Sequence, residues 1–144
     1  MFSKACEYGI RAAIYIASQS ADNNRVNLKA VAKHIDSPEA FTAKILQQLV
    51  QQNIITSTKG ATGGFEIETA KLNTITLNHV VLAIDGDSIY KVCGLGLKEC
   101  SEKKPCPVHN SFKTIRDDLK KMLNATTIYE LSQGLKDGST FLKQ

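Results

Sequence analysis

Residues 36–68, DSPEAFTAKILQQLVQQNIITSTKGATGGFEIE, decide the fold of this chain. The segment opens with a helix start. Ser37 can serve as N-cap, Pro38 suits the first helical position because an N–H there would have no partner, and Glu39 sets a negative charge against the helix dipole. The helix so predicted runs to about Gln52. Phe41, Ile45, Leu46 and Leu49 recur at three- and four-residue spacing as its core stripe, with Glu39, Thr42, Lys44, Gln47 and Gln48 looking outward. Next, Asn53–Lys59 reads as a strand, Gly60-Ala61-Thr62-Gly63-Gly64 as a flexible turn, and Phe65–Glu68 as an alternating return strand. A capped helix followed at once by a β-hairpin is the second half of a winged helix.

The first half lies upstream. Ser3 can cap a helix running to about Ser18, whose apolar positions (Ala5, Tyr8, Ala12, Ile16 and Ile10, Ala13, Ala17) form a broad stripe. Ser20–Arg25 is a polar loop. Asn27 can cap a short second helix, Leu28 to His34, with Leu28, Val31, Ala32 and Ile35 inward. Two short helices joined by a tight turn describe a helix-turn-helix, whose second helix enters the major groove of DNA. Residues 1–76 therefore read as a winged helix-turn-helix DNA-binding domain. Within it Thr42, Ala43 and Lys44 are expected nearest the bases, with Lys4, Ser37, Lys59, Gly60 and Thr62 holding phosphates or the minor groove. The glycine-rich turn is no nucleotide-binding loop, because it lacks the Gly-Lys-Ser/Thr ending and no helical pattern follows it.

Residues 77–144 read as a second part. Thr76 can cap a helix from Leu77 to about Ile84, which Asp85-Gly86-Asp87 ends. A loop at about 92–109 leads to a long amphipathic helix, about Val108 to Leu123, with Phe112, Ile115, Leu119, Met122 and Leu123 as its stripe. Thr127-Ile128-Tyr129-Glu130 has capping-box spacing and opens a short final helix, and Lys136–Gln144 reads as a polar, frayed tail. A long helix with an apolar face needs a partner in a chain this short, and a second copy is an obvious one. A homodimer is therefore expected, its two recognition helices meeting the half-sites of a palindromic operator in double-stranded DNA. The fold class is mainly α with a small β-hairpin: a winged helix-turn-helix plus a long C-terminal dimerisation helix.

Composition sets the outer bounds. With 42% hydrophobic and 22% charged residues, the 144-residue chain can bury a core. No run of eighteen apolar residues offers a transmembrane helix, and Glu7 and Arg11 interrupt the apolar start, so neither a membrane association nor a signal peptide is expected and a cytoplasmic location is. The net charge is +4, spread as 8 Lys/Arg against 6 Asp/Glu in residues 1–76 and 10 against 8 in residues 77–144. Charge balance alone singles out no DNA-binding half.

The chemistry is concentrated in the loop. Cys93, Cys100 and Cys106 are three of the four cysteines, and with His109 they form the pattern Cys-x6-Cys-x5-Cys-x2-His. Three thiols and an imidazole on one Gly- and Pro-containing segment can close around one ion or cluster, and thiolates suit an iron–sulfur cluster or zinc. The tight Cys-x2-Cys knuckle usual for zinc is missing, which tips the reading towards a cluster; structural zinc, or no metal, on the same regulator is the alternative. Cys6 reads as a small helix residue outside the site, His34 as a helix-end cap, His79 as an exposed helix residue and Glu7 as a solvated charge. A small cysteine-dependent enzyme built on Cys106 and His109 would need a third, orienting residue. None is visible, so no enzyme is expected.

Taken together these residues resemble the Rrf2 family of bacterial winged-helix regulators, which includes IscR-like cluster regulators and NsrR-like nitric-oxide sensors. The resemblance rests on Glu7-Tyr8-Gly9-Ile10-Arg11-Ala12, the Lys59–Phe65 wing, Val80-x-x-Ala83-Ile84-Asp85-Gly86, the three loop cysteines and Thr127-Ile128-x-Glu130-Leu131. It implies a homodimer with crossing long helices and a cluster on Cys93, Cys100 and Cys106 whose state, through redox change, nitric oxide or iron–sulfur supply, sets DNA affinity. The fourth ligand is implied as His109 by one branch and as Glu7 of the other subunit by the second. Two departures stand out: one extra residue between the first two cysteines, and Lys59 where the wing usually carries arginine.

Overall fold

The computed structural model describes residues 1–144. Seven helices and one hairpin follow in the order α1 (Lys4–Ser20), α2 (Leu28–His34), α3 (Glu39–Gln51), β1 (Thr56–Thr58), β2 (Gly64–Glu66), α4 (Leu77–Ile84), α5 (Ser88–Lys91), α6 (His109–Ala125) and α7 (Ile128–Asp137). This is the mainly helical architecture with a small hairpin that the sequence predicts. Two local elements were not anticipated: a single 3-10 turn at Thr69–Lys71 and the one-turn helix α5.

The caps explain several helix starts. Ser3 accepts a hydrogen bond from the Cys6 amide at 3.1 Å, Asn27 from Ala30 at 2.8 Å, and Thr127 from Glu130 at 3.1 Å. At α3 the expected register is off by one. Pro38 occupies the cap position, and the Ser37 hydroxyl makes no cap bond but accepts from Thr42 at 2.8 Å. His79, expected as a plain surface residue, is exposed yet closes a capping box, its Nδ1 accepting from the Thr76 amide at 3.0 Å. His34 does not cap α2. It stacks on Tyr15 with ring centroids 3.9 Å apart, and burial holds its pKa below the usual imidazole value.

Strand β1 is shorter than the Asn53–Lys59 expectation. Asn53 adopts a left-handed conformation (φ 58°) and the Ile54 amide returns to the Leu49 carbonyl at 3.0 Å, so the chain is still closing α3 where a strand was expected. Ile54 and Ile55 go into the core instead. The hairpin is antiparallel with Ser57 opposite Phe65, and Val26 adds a bridge to Phe65 that fixes the wing to the α1–α2 loop.

One hydrophobic core runs through the molecule. It includes Ile16 of α1, Leu46 and Leu49 of α3, Val80 and Val81 of α4, Leu123 of α6 and Ile128 of α7, so it continues across residue 76. Helix α1 lies at its centre and packs against α2, α3, α4, α7 and β2. The tail contributes too: Leu142 packs against the core and the Lys143 ammonium donates to the Lys33 carbonyl at 3.3 Å. Helix α6 packs against α4, α5 and the loop that precedes it, and leaves Phe112, Ile115 and Met122 exposed. No helix is long and apolar enough to cross a membrane.

Gly64 is the tightest point of the wing. Its φ is 138°, and a Cβ there would come within 2.7 Å of the Val26 carbonyl oxygen. Both strain and backbone collision oppose a side chain, so Gly64→Ala should lower unfolding stability by about 1–3 kcal/mol. Urea denaturation followed by circular dichroism measures this; a loss below the error of the fit would show that the wing is not held to Val26 as described.

Candidate functional site

Two sets of residues carry the candidate chemistry, and the first is the face formed by α3 and the wing. Lys44 projects into solvent from α3 and Ala43 beside it is half-buried. Lys59, Gly60 and Thr62 are exposed at the hairpin tip, where Gly60 takes a φ of 105°. Thr42 corrects the expectation of an outward face. Its side chain is fully buried, and its hydroxyl donates within the turn to Ser37 Oγ and the Pro38 carbonyl at 2.8 and 2.9 Å. It is therefore closed off from any base edge and holds the turn between α2 and α3. Lys4 is exposed at the start of α1, its ammonium 2.8 Å from Glu7. That ion pair is one helical turn long and holds the Glu7 carboxyl below its usual range. Arg25, which sequence reading did not single out, braces the wing from below, with Nε 3.1 Å from Glu66 and Nη1 donating to the Thr62 carbonyl at 3.5 Å.

The second set is the loop between α5 and α6. All four cysteines are free thiols. Cys93 is buried, and the neighbouring Leu95 and Leu97 amides, with Cys106 close by, hold its thiol below the ordinary range. Cys100 faces His109, with Sγ and Nδ1 3.4 Å apart. The imidazole is buried at the first turn of α6, and its other nitrogen, Nε2, has no hydrogen-bond partner. Two donor pairs thus stand on one loop, Cys93 with Cys106 and Cys100 with His109. They are not drawn to one point: no three of the chain's His, Cys, Asp and Glu side chains gather as a metal-holding group.

Arg116, also absent from the expected site, completes the arrangement. It donates to the Val92 carbonyl through Nη1 and to Cys100 Sγ through Nη2, each at 3.0 Å. Its position could have signalled this: seven residues after His109 is two helical turns, hence the same face of α6. Together Tyr90, Cys100, His109, Lys113 and Arg116 line an open cleft of about 460 Å³. Cys6, the fourth cysteine, lies apart in the core beside Asp85, whose carboxylate also accepts from the Ser3 amide at 2.9 Å and from the Ser3 hydroxyl.

The donor set of the loop fits a thiophilic metal centre. Sulfur and imidazole are the ligands that zinc and iron–sulfur clusters take. A buried imidazole nitrogen left without a partner is an uncommon and costly state that coordination would relieve.

Comparison with known proteins shows what the chain is similar to. A family profile described as "Rrf2: Iron-dependent Transcriptional regulator" matches residues 2–134. A protein of Aquifex aeolicus (strain VF5) bearing the name of an HTH-type transcriptional regulator is 27% identical over 133 residues, covering 91% of this chain and 90% of the relative. Among solved structures, CymR (YrzC), the global cysteine regulator of B. subtilis, matches with a TM-score of 0.78 at 22% identity, covering 92% of this chain and 96% of that one. IscR of T. potens matches with a TM-score of 0.75 at 14% identity, covering 97% and 91%. At such identities these two structures speak to the fold: a mostly helical winged-helix architecture with a two-stranded hairpin.

The contrast between Cys6 and the loop thiols is directly measurable. Burial, reinforced by Asp85, pushes the Cys6 thiol up to about 12, so at pH 8 only about one molecule in 10⁴ carries that thiolate. Brief iodoacetamide treatment of the metal-free native protein at pH 8, read by peptide mass, should label loop cysteines and spare Cys6 until denaturant is added. Rapid native labelling of Cys6 would contradict its placement in the core.

Proposed function

Because the chain belongs to the Rrf2 family of transcriptional regulators, we propose that it binds operator DNA with an affinity set by an iron–sulfur cluster on the Cys93–His109 loop. Members of the family and the relatives above are regulators of transcription, and the chain is not an enzyme. The observation that carries the sensing part is the buried, unpartnered Nε2 of His109 beside the loop that holds Cys93, Cys100 and Cys106.

Cys93, Cys100 and Cys106 would hold the group as thiolates, with His109 as fourth ligand. Glu7 supplied by a second subunit is the alternative, and its pairing with Lys4 makes it the weaker candidate. When bound, a cluster supplies redox chemistry and reactivity toward nitric oxide and oxygen at this position. What the chain contributes is a loop with an amide-lined seat for Cys93 and an imidazole fixed at the first turn of α6. Ordering of that loop would be felt by α6, whose exposed Phe112, Ile115 and Met122 suit the interface of a homodimer.

On the DNA side, α3 would enter the major groove with Ala43 and Lys44 foremost. Lys59, Gly60 and Thr62 of the wing would reach the backbone or minor groove, with Lys4 and the Ser37 turn near phosphates. Residues 1–76 form the reading unit in this scheme and residues 77–144 the sensing and dimerising one. Two copies then span a palindromic operator, in the cytoplasm where the DNA is. Structural zinc on the same residues is the second reading, since thiolate sulfur and imidazole nitrogen are also the usual donors of a structural zinc site.

An operator selected from a random duplex library by the apo or the loaded protein allows a direct test. Anaerobic preparation with iron and sulfide should give a brown protein with acid-labile sulfide, where a zinc protein would be colourless. At fixed salt, loaded and apo forms should differ in operator affinity by about tenfold or more, a coupling of ordinary allosteric size. Equal affinities would overturn the sensor. Lys44→Ala and Lys59→Ala should each weaken binding, and loss of one phosphate contact should reduce the salt slope by about 1.

A further inference from the structure

Arg116 is the one long side chain of α6 that grips the cysteine loop at two places. Its guanidinium donates to the Val92 carbonyl, immediately before the first cysteine, and to the sulfur of the second, Cys100, each at 3.0 Å. Those two acceptors bracket the first spacer of the loop. Cys100 Sγ therefore meets α6 twice, at Arg116 and at His109 Nδ1 two turns earlier, 3.4 Å away. Arg116 takes part in no ion pair with Asp or Glu, although Asp117 and Asp118 follow it directly, so its donors are committed to the loop. One residue before it, Ile115 is 60% exposed.

We propose that Arg116 is a positioning residue that latches the cysteine loop onto α6 and carries the state of Cys100 to that helix. The planar fork makes this possible, since it reaches two acceptors at once with one rigid group; a lysine ammonium would keep the charge but not the paired geometry. A hydrogen bond from a cation to a sulfur strengthens when that sulfur carries negative charge, as a thiolate or as a ligand. The latch therefore tightens when Cys100 is engaged as a ligand sulfur. A donor aimed at a ligand sulfur also stabilises the more reduced, more negative form of whatever centre that sulfur holds. The redox consequence rests on the cluster reading, whereas the latch itself is a property of the apo chain.

The experiment separates the two. In metal-free protein, amide hydrogen exchange of residues 93–108 should be about tenfold faster in Arg116→Met than in wild type, the size expected for losing a charge-assisted hydrogen bond. Arg116→Lys should leave much of that acceleration in place because it cannot hold both acceptors. Exchange in α1 and α3 should be unchanged in both variants, which shows that the fold persists. In protein loaded anaerobically with iron and sulfide, the midpoint potential should fall in Arg116→Met and stay near wild type in Arg116→Lys, which retains the charge. Unchanged loop exchange in Arg116→Met overturns the latch. An unchanged potential overturns its influence on the centre, and failure of wild type to take up iron and sulfide counts against the cluster reading while the exchange measurement still decides the latch.

Discussion

Helix α1 is the element on which the rest of the molecule is packed. Its small residues Ala12, Ala13 and Ala17 let neighbouring backbones approach, and Ile14 and Ile16 fill the space between them. Gly9 extends this logic: a Cβ there would lie 2.1 Å from Cδ1 of Ile84, so the lack of a side chain lets α4 come close. The same helix touches α3, which carries the proposed reading face, and α4 and α7, which belong to the second half of the chain. Burying side chains of the Ile and Leu class contributes on the order of 1.5–3 kcal/mol each, so a core shared in this way makes the two halves expensive to move independently. A sensor of the kind proposed for the second half would therefore have a mechanical route to the first without any special wire. The Ser3–Asp85 hydrogen bonds reinforce it by tying the N-cap of α1 to the end of α4.

Most of this architecture was legible because it rests on periodicity and caps. Ser3, Asn27 and Thr127 mark helix starts by a chemistry that acts within three residues, and the structure uses all three. Thr42 shows where residue type misled. Positions 42, 45, 46 and 49 are one helical stripe, and the period alone places Thr42 in the core with Ile45, Leu46 and Leu49. A polar side chain suggested the opposite, but a hydroxyl can be buried at little cost when the turn before it supplies acceptors, as Ser37 and Pro38 do. The wing strand was overextended for a related reason. Ile54 and Ile55 have strand-like character, yet a left-handed Asn53 commits them to the helix end and the core.

The site was legible in its ligand candidates and not in its supports. Cysteines and histidines cluster along the chain, so spacing exposes them. Arg25 and Arg116 act across 37 and 24 residues, on the Thr62 and Val92 carbonyls respectively, and nothing local announces such bonds. A charged residue on an amphipathic helix ordinarily reads as a solvated face. Only the helical register linking His109 to Arg116 marks this one as different, and that clue acquires meaning once the loop is known to fold back onto the helix.

The apo arrangement of the loop follows from electrostatics. Thiolates that approach one another repel, and without a cation between them they do not gather at one point. The chain instead gives its sulfurs separate partners of positive character: backbone N–H groups for Cys93 and a guanidinium for Cys100. Cys106 stays beside Cys93, and the imidazole keeps one nitrogen towards Cys100 and the other unpaired. In the proposed loaded state a bound centre would bring these two pairs together. They can fall back to these internal partners when it leaves. On that proposal the loop would have two definable states that differ in what pulls on α6, which is the physical minimum for a switch built on this fold.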